Sequence, residues 1–209
     1  MSDEQPVVGA IVHDLAGMLS NVSAFAGILE KRPDHPGRDE FLPVLAREAR
    51  AATLALQDLQ LARSLADEWP RSDLSNVELR SFLLAVGEQL GHPDWLKAQI
   101  SDLEEDVTVV ADPGMLNGLL LRSFEVAAAG DYSGDGLLAA SSAAPHATVR
   151  LDISGCDYEG DIRADVERGR RELRAFALLR LVVEKWGGTT RIEGTGEEIL
   201  LCLEMQQAG

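Results

Sequence analysis

Two long apolar stripes, separated by a short helix breaker, constrain the fold of this chain more than any other feature. Between residues 6 and 31, apolar side chains recur three or four positions apart, which indicates an amphipathic helix. Its stripe consists of Val8, Val12, Leu15, Leu19, Val22, Ala26 and Leu29. Residues 32–37, RPDHPG, contain two prolines and a glycine and end this helix. The first segment is therefore one long helix with one apolar side.

A second stripe of the same kind follows the breaker, between residues 40 and 66. It consists of Leu42, Leu45, Ala49, Ala52, Leu56 and Leu59. Two helices joined by six residues predict an αα-hairpin over residues 1–68. Such a hairpin cannot cover two stripes by itself, so we expect a homodimer whose hairpins form a four-helix bundle. In the alternative arrangement, the C-terminal domain of the same chain covers the stripes.

The rest of the chain has a mixed pattern. Residues 67–76, DEWPRSDLSN, are polar and contain proline, and they make the best domain boundary. Helices are predicted from Ser75 or Asn76 to residue 90, over 112–129 and over 172–186, and strands over 107–111, 149–153, 189–193 and 198–204. Residues 130–136 and 141–148 are loop-like. The predicted fold is α+β, in which the dimeric helical hairpin precedes a two-layer α/β sandwich over residues 74–209.

Composition excludes several classes of function. The formal net charge of −16 repels nucleic acid and anionic membranes, so neither is an expected partner. Cys156 and Cys202 stand far apart and predict neither a zinc site nor a disulfide. The N-terminus has no signal-peptide pattern, and we expect no apolar run long enough to span a membrane. These features predict a cytoplasmic protein.

His13 is the first candidate for chemistry. At about 100° per residue it lies roughly 140° from the centre of the first stripe, on the solvent side. The positions around it, Gly17, Ser20, Asn21 and Ala24, are small or modestly polar, whereas an ordinary solvated face carries long charged side chains. An accessible imidazole beside open space suits a nucleophile that meets a large partner. An incidental surface histidine explains the spacing equally well.

Residues 11–29, IVHDLAGMLSNVSAFAGIL, resemble the H-box of histidine kinases, in which His-Asp or His-Glu opens the dimerisation helix. The resemblance implies that His13 accepts a phosphoryl group and that Asp14 orients the ring or holds its proton. The sequence departs from the family at Gly17, where such kinases usually carry Thr or Asn to position a hydrolytic water. Phosphatase activity is therefore in doubt, whereas phosphoryl transfer is not.

The second domain resembles the ATP-binding domain of histidine kinases but has lost its main ligands. Residues 107–127 are similar to the strand and helix that carry the N-box, yet Arg122 and Val126 stand where the family has asparagines that hold Mg²⁺. Residues 156–161, CDYEGD, offer no convincing adenine box. In residues 173–188, Leu173 and Ala175 replace the glycines of the phosphate-binding helix. We therefore expect no ATP binding, no cofactor and no metal on this chain.

Together these features resemble bacterial histidine phosphotransferases of the ChpT type. The resemblance implies a dimer that accepts a phosphoryl group on His13 from one receiver-domain aspartate and passes it to another. Its partners would be response-regulator receivers and a hybrid histidine kinase, and Mg²⁺ would sit in the receiver. Two alternatives stay open, namely a non-catalytic pseudokinase-like dimer that binds a kinase or receiver, and, ranked last, an active kinase with a divergent domain.

One dense basic patch, RGRRELR, stands out in this acidic chain. It contains Arg168, Arg170, Arg171 and Arg174. The patch would help to hold a receiver docked at His13, or its arginines would simply pair with nearby Glu167 and Glu172. The sequence favours neither interpretation.

Overall fold

A computed structural model describes residues 4–66, 74–89, 103, 107–128, 136–154, 160–195 and 198–208. The chain divides into two units, residues 1–67 and 68–209. The first unit contains two helices, α1 (Glu4–Lys31) and α2 (Arg38–Ala66). They pack along their length and form the predicted hairpin.

The seam between α1 and α2 is apolar and narrow. Its buried members are Val7, Ile11 and Met18 of α1 with Ala52, Ala55, Ala62 and Leu65 of α2. The many alanines on α2 allow the two backbones to approach closely. Two carboxylates, Glu48 and Asp58, are also buried on the seam side of α2.

Most of the stripe that the sequence revealed on each helix lies outside this seam. Val12 and Leu19 on α1 are 49% and 51% exposed, and Leu42 and Leu56 on α2 are 45% and 47% exposed. Each helix thus carries two adjacent apolar stripes. One stripe holds the hairpin together, and the other, here named the outer stripe, stays open to solvent.

The turn between the helices is held by aromatic contacts. His35 Nδ1 accepts a hydrogen bond from the Gly37 N–H at 3.0 Å. The His35 ring packs on Phe41 with centroids 5.1 Å apart, and Phe41 packs on Phe25 at 5.2 Å. His35 is therefore a structural turn residue that stabilises the closed end of the hairpin.

The second unit combines helices with antiparallel strands. Its elements are β1 (Ser75–Glu78), α3 (Leu79–Gln89), β2 (Thr108–Ala111), α4 (Pro113–Ala128), β3 (Gly136–Ala143), β4 (His146–Ser154), α5 (Ile162–Glu167), α6 (Arg174–Lys185), β5 (Thr189–Thr195) and β6 (Glu198–Gln206). Strands β1 and β2 pair with each other, and the larger sheet has the order β3-β4-β6-β5. A single bridge joins Val109 of β2 to Gln207, next to the end of β6.

The core of this unit lies between α4, α6 and one face of the larger sheet. Side chains of β6 alternate, with Ile199, Leu201, Leu203 and Met205 buried. Helix α6 is buried almost throughout, from Ala175 to Leu179. It ends at Lys185, and Gly187, two residues later, has a φ of +86° that suits glycine. The predicted fold class, a helical hairpin followed by an α/β domain with an antiparallel sheet, is confirmed.

Two local predictions were wrong. Residues 75–78 form strand β1, and helix α3 begins only at Leu79, because the Glu78 carboxylate accepts hydrogen bonds from the N–H groups of Arg80 and Ser81 and so caps the helix. Residues 141–148 form the ends of β3 and β4 and the tight turn between them, since strand pairing overrides the weak β propensity of Ala and Ser. The predicted loop over 130–136 lies outside the described residues except for its last position.

Candidate functional site

His13 lies on the outside of α1 with its imidazole fully accessible. The side chain is 90% exposed, and Nδ1 lies 3.4 Å from Oδ1 of Asp14, whose side chain is 25% exposed. Among the described residues, Asp14 is the one hydrogen-bond partner of this ring. Its other nitrogen, Nε2, is therefore open to a group that arrives from solvent.

The face that extends from His13 towards the C-terminal end of α1 carries small side chains. Gly17, Ser20 and Ala24 follow at four, seven and eleven positions, which places them on one side of the helix. All three are exposed, and a Cβ added at Gly17 would meet no atom within 4 Å. The structure thus brings these predicted site residues together and leaves space above them.

Asn21 lies at the edge of this face and contacts α2. Its Nδ2 donates a hydrogen bond to Glu48 Oε2 at 3.4 Å, while Arg47 Nε lies 3.6 Å from the other carboxylate oxygen. Glu48 is 8% exposed, so this is a largely buried polar contact between the two helices. The contact of Glu48 was not predicted, because the buried seam between α1 and α2 was not recognised in the sequence.

A groove runs along α2 on the side away from its outer stripe. It has a volume of about 480 Å³ and is lined by Pro43, Ala46, Arg47, Arg50, Ala51 and Leu54. This groove, here named the α2 groove, was not predicted. The signal that would have revealed it is a run of small residues and arginines spaced three and four positions apart.

The basic patch of the second unit is organised around one buried acid. Arg168 Nη1 and Arg170 Nε lie 3.2 and 3.3 Å from the same oxygen of Asp165, whose side chain is 4% exposed. The turn between the two arginines contains Gly169, with a φ of +67°. Glu167, which one of the two interpretations offered as a partner for these arginines, pairs with Arg163. Arg171 is exposed and begins a short 3-10 helix, Arg171–Leu173.

The positions that resemble a nucleotide site carry packed side chains. Leu173 and Ala175 are 1% and 6% exposed and form part of the core under α6. Arg122 is partly buried on α4. The side chain of Val126 and residues 156–159 lie outside the described part of the chain.

Helix α1 is strongly apolar, although few of its residues are buried. Residues Gln5–Lys31 are long and apolar enough to cross a membrane by length and composition alone, and 17% of the best window is buried. The expectation that no segment reaches this threshold was therefore wrong. Core helices of soluble proteins and signal sequences pass the same test, so the finding shows mainly that α1 has an uncovered apolar side.

Comparison with known proteins finds no match by sequence but does find matches by structure. No protein-family model matches the sequence, and no curated protein is detectably similar to it. The Acinetobacter baumannii histidine kinase AdeS, however, matches 94% of this chain with 98% of its own, at a TM-score of 0.72 and 12% identity. The chain has a histidine-kinase-like fold. Both units, the hairpin and the α/β domain, take part in the likeness.

Two further solved structures share this histidine-kinase-like fold. ThkA in complex with the response regulator protein TrrA has a TM-score of 0.70 and 14% identity over 95% of this chain. Full-length ShkA in complex with AMPPNP has a TM-score of 0.61 and 20% identity over 82% of this chain. This chain spans 60% and 39% of those two proteins. At such identities the likeness establishes the fold alone.

Proposed function

We propose that the protein is a histidine phosphotransferase of the ChpT type, which accepts a phosphoryl group on His13 from the aspartate of one receiver domain and passes it to another. The observation that carries the proposal is the position of His13. It is 90% exposed on a histidine-kinase-like hairpin, beside a face of small residues that a large partner can approach. A surface histidine that meets no partner would not require small residues beside it.

The transfer step uses His13 and Asp14. With its proton on Nδ1, facing the Asp14 carboxylate, the neutral imidazole keeps a lone pair on Nε2. Nε2 attacks the phosphorus of an aspartyl phosphate, the N–P bond forms as the acyl O–P bond breaks, and the partner's carboxylate leaves. Asp14 then faces the positive charge on the ring. The reverse sequence delivers the group to a second aspartate.

Independence from ATP is supported by the packed phosphate-binding helix. Leu173 and Ala175 fill the core where the resembling family uses glycines to bring backbone N–H groups against phosphate. Arg122 stands where that family has a metal-binding asparagine. The protein would therefore take its phosphoryl group from receivers, which also supply the Mg²⁺, in the cytoplasm.

The proposed partners are receiver domains of response regulators and of a hybrid histidine kinase. The histidine kinase ThkA, which shares the fold, was solved in complex with a response regulator protein. The same kind of partner suits the face of small residues around His13 in this chain. A receiver needs only to place its aspartate next to Nε2 for the transfer to occur.

The outer stripes support a homodimer. Large apolar side chains on α1 and α2 are about half exposed in the single chain, and each costs free energy while it faces water. Two hairpins that pack stripe against stripe complete a four-helix bundle and cover these side chains. The apolar character of α1 has the same explanation.

The test is to incubate the protein with purified receiver domains charged by acetyl phosphate and to follow acid-labile, base-stable label. Wild type is expected to gain label that disappears in His13→Ala, and labelled protein is expected to pass it to an uncharged second receiver. Binding of receivers without any label on wild type would instead favour a pseudokinase-like scaffold. Label that arises from ATP alone would refute the relay.

A further inference from the structure

The nearest neighbours of His13 on α1 are small and uncharged on both sides. In a helix, the side chains that neighbour a given residue are those three and four positions before and after it. For His13 all four are glycine or alanine, namely Gly9, Ala10, Ala16 and Gly17. An added Cβ at either glycine would meet no atom within 4 Å. These four residues are here named the collar of His13.

Helix α1 offers no cation to a group bound at His13. Asp14 is the only residue with a formal charge between residues 5 and 29. The first lysine, Lys31, follows 18 residues after His13, which is about 27 Å along the helix. Asp14 itself lies 3.4 Å from Nδ1 of the imidazole. The charge that α1 places next to the ring is therefore negative.

Helix α2 also lacks a cation at the height of His13. The hydrogen bond that joins the two antiparallel helices at Glu48 brings residues 54–57, LALQ, to that height. The nearest arginines of the helix, Arg50 and Arg63, lie about 9 and 10 Å away along the axis. Within residues 4–66, no cation thus lies inside one helical turn of the imidazole along the hairpin axis.

A phosphoryl group on His13 would therefore have no positive partner on this hairpin. It carries close to two negative charges at neutral pH, and proteins that hold such a group firmly pair it with arginine or lysine. Its charged neighbour here is Asp14, which repels the phosphoryl oxygens and favours the protonated ring. A protonated imidazole is the better leaving group, so the N–P bond is easily broken.

We propose that the uncharged collar makes phospho-His13 a short-lived carrier, from which the phosphoryl group passes to a receiver aspartate with an equilibrium that favours the receiver. The inference rests on the proposed phosphotransfer and adds the direction of its equilibrium. In that step a carboxylate oxygen of the receiver forms the O–P bond as the N–P bond breaks. The electron pair of that bond returns to Nε2, and the neutral imidazole keeps its proton on Nδ1. A cation in the collar would hold the phosphoryl group on His13.

The experiment introduces a cation into the collar and follows the phosphohistidine itself. Ala16→Lys places an ammonium group one turn from His13, whereas Ala16→Met adds a side chain of similar length without charge. Each protein is labelled with phosphoramidate, which needs no docking, and the half-life of the label is measured without receivers. Ala16→Lys is expected to lengthen the half-life about fivefold, from one positive charge near two negative charges in water. Ala16→Met should match wild type, and high salt should reduce the gain.

Ser23→Lys is the matched control for added charge. Ser23 is exposed on the same side of α1, seven residues after Ala16 and about 15 Å along the helix from His13. Its phosphohistidine should have the wild-type half-life. With a charged receiver, most label is expected on the receiver in wild type and Ser23→Lys at equilibrium. The ratio of label on His13 to label on the receiver should rise about fivefold in Ala16→Lys. Hindered docking would slow the approach to equilibrium without changing its position.

Each other outcome has a definite meaning. If Ala16→Lys and Ala16→Met have equal half-lives and equal equilibria, the charge around His13 does not set its lability, and the inference is wrong although the phosphotransfer stands. If wild type holds most of the label at equilibrium with a receiver, the inference is also wrong. If no receiver exchanges label with wild type, the proposed function fails and this inference with it. Misfolding does not confuse the result, because Ala16 is exposed and lysine is a good helix former.

Discussion

At the scale of single residues, reactivity depends on the neighbour of His13. Asp14 lies 3.4 Å from Nδ1 and is largely shielded, whereas the imidazole is open to solvent. Asp14→Asn removes the negative charge that orients the ring and faces its charged form. We expect transfer to slow about tenfold or more, with the final stoichiometry of label unchanged, as measured by rapid quench.

Asp34→Asn is the matched control for this prediction. Asp34 is exposed in the turn after α1 and makes no ion pair or side-chain hydrogen bond with another described residue, so its variant should transfer at the wild-type rate. Equal rates in Asp14→Asn and Asp34→Asn would show that Asp14 does not assist the histidine. A melting temperature measured for both variants separates this from a loss of fold.

The sequence predicted the exposure of His13 but not the contacts of the two buried carboxylates, Glu48 and Asp165. The exposure of His13 follows from its angle to the apolar stripe, which helix geometry fixes. The contacts of Glu48 and Asp165 cannot be predicted from helix geometry alone. Packing places the partner of Glu48 on the other helix of the hairpin and that of Asp165 on the following turn. Glu167 was one possible partner in the basic patch, yet it pairs with Arg163, and Arg168 and Arg170 pair with the buried Asp165.

At the scale of elements, α1 is weakened by glycines that its packing does not require. Added Cβ atoms at Gly17 and Gly27 would both meet open space. Alanine at either position should raise the free energy of unfolding of the hairpin by about 0.5 to 1 kcal/mol. Gly17 lies one helical turn from His13, whereas Gly27 lies on the same side of α1 but about 21 Å further along the helix. Gly17→Ala should therefore also slow transfer from receivers about tenfold, through a methyl group at a packed contact.

Denaturant titration and receiver-dependent transfer rates test the two halves of this prediction together. Gly27→Ala is the control, with the same gain in stability and unchanged transfer. If Gly17→Ala transfers as fast as Gly27→Ala, the receiver does not pack closely against α1 at this turn. Contact with a receiver would then not explain why the side chains near His13 are small.

Elements with a clear apolar pattern were predicted well, including four of the strands, whereas β1 and β3, which lack such a pattern, were not. Helices α1 and α2 agree with the apolar periodicity to within two residues at their ends. Strand β1 was taken for a helix start because Ser75 and Asn76 are good caps, yet these residues pair with β2, more than thirty positions away. A local pattern cannot report a partner at that distance.

At the scale of the whole molecule, assembly depends on the outer stripes. Leu19, on the outer stripe, and Leu54, in the α2 groove, are exposed to nearly the same extent, 51% and 48%. Leu19→Glu places a charge in the proposed dimer interface and should convert the dimer to a monomer at micromolar concentration. Leu54→Glu should leave the dimer intact, and sedimentation velocity distinguishes the two.

The opposite result would exchange the roles proposed for the outer stripe and the α2 groove. A dimer that survives Leu19→Glu and dissociates in Leu54→Glu would place the subunit interface in the groove. A wild-type monomer would mean that the outer stripes contact something other than a second copy. Flotation with lipid vesicles then tests whether the apolar side of α1 binds a membrane.

The angle between His13 and Leu19 around α1 has one more consequence. A two-fold axis that passes through the outer stripes places the two imidazoles on opposite flanks of the bundle, facing away from each other. Two receivers can then be held at once without competing for space. In such a dimer, one His13 can accept a phosphoryl group while the His13 of the partner subunit donates one.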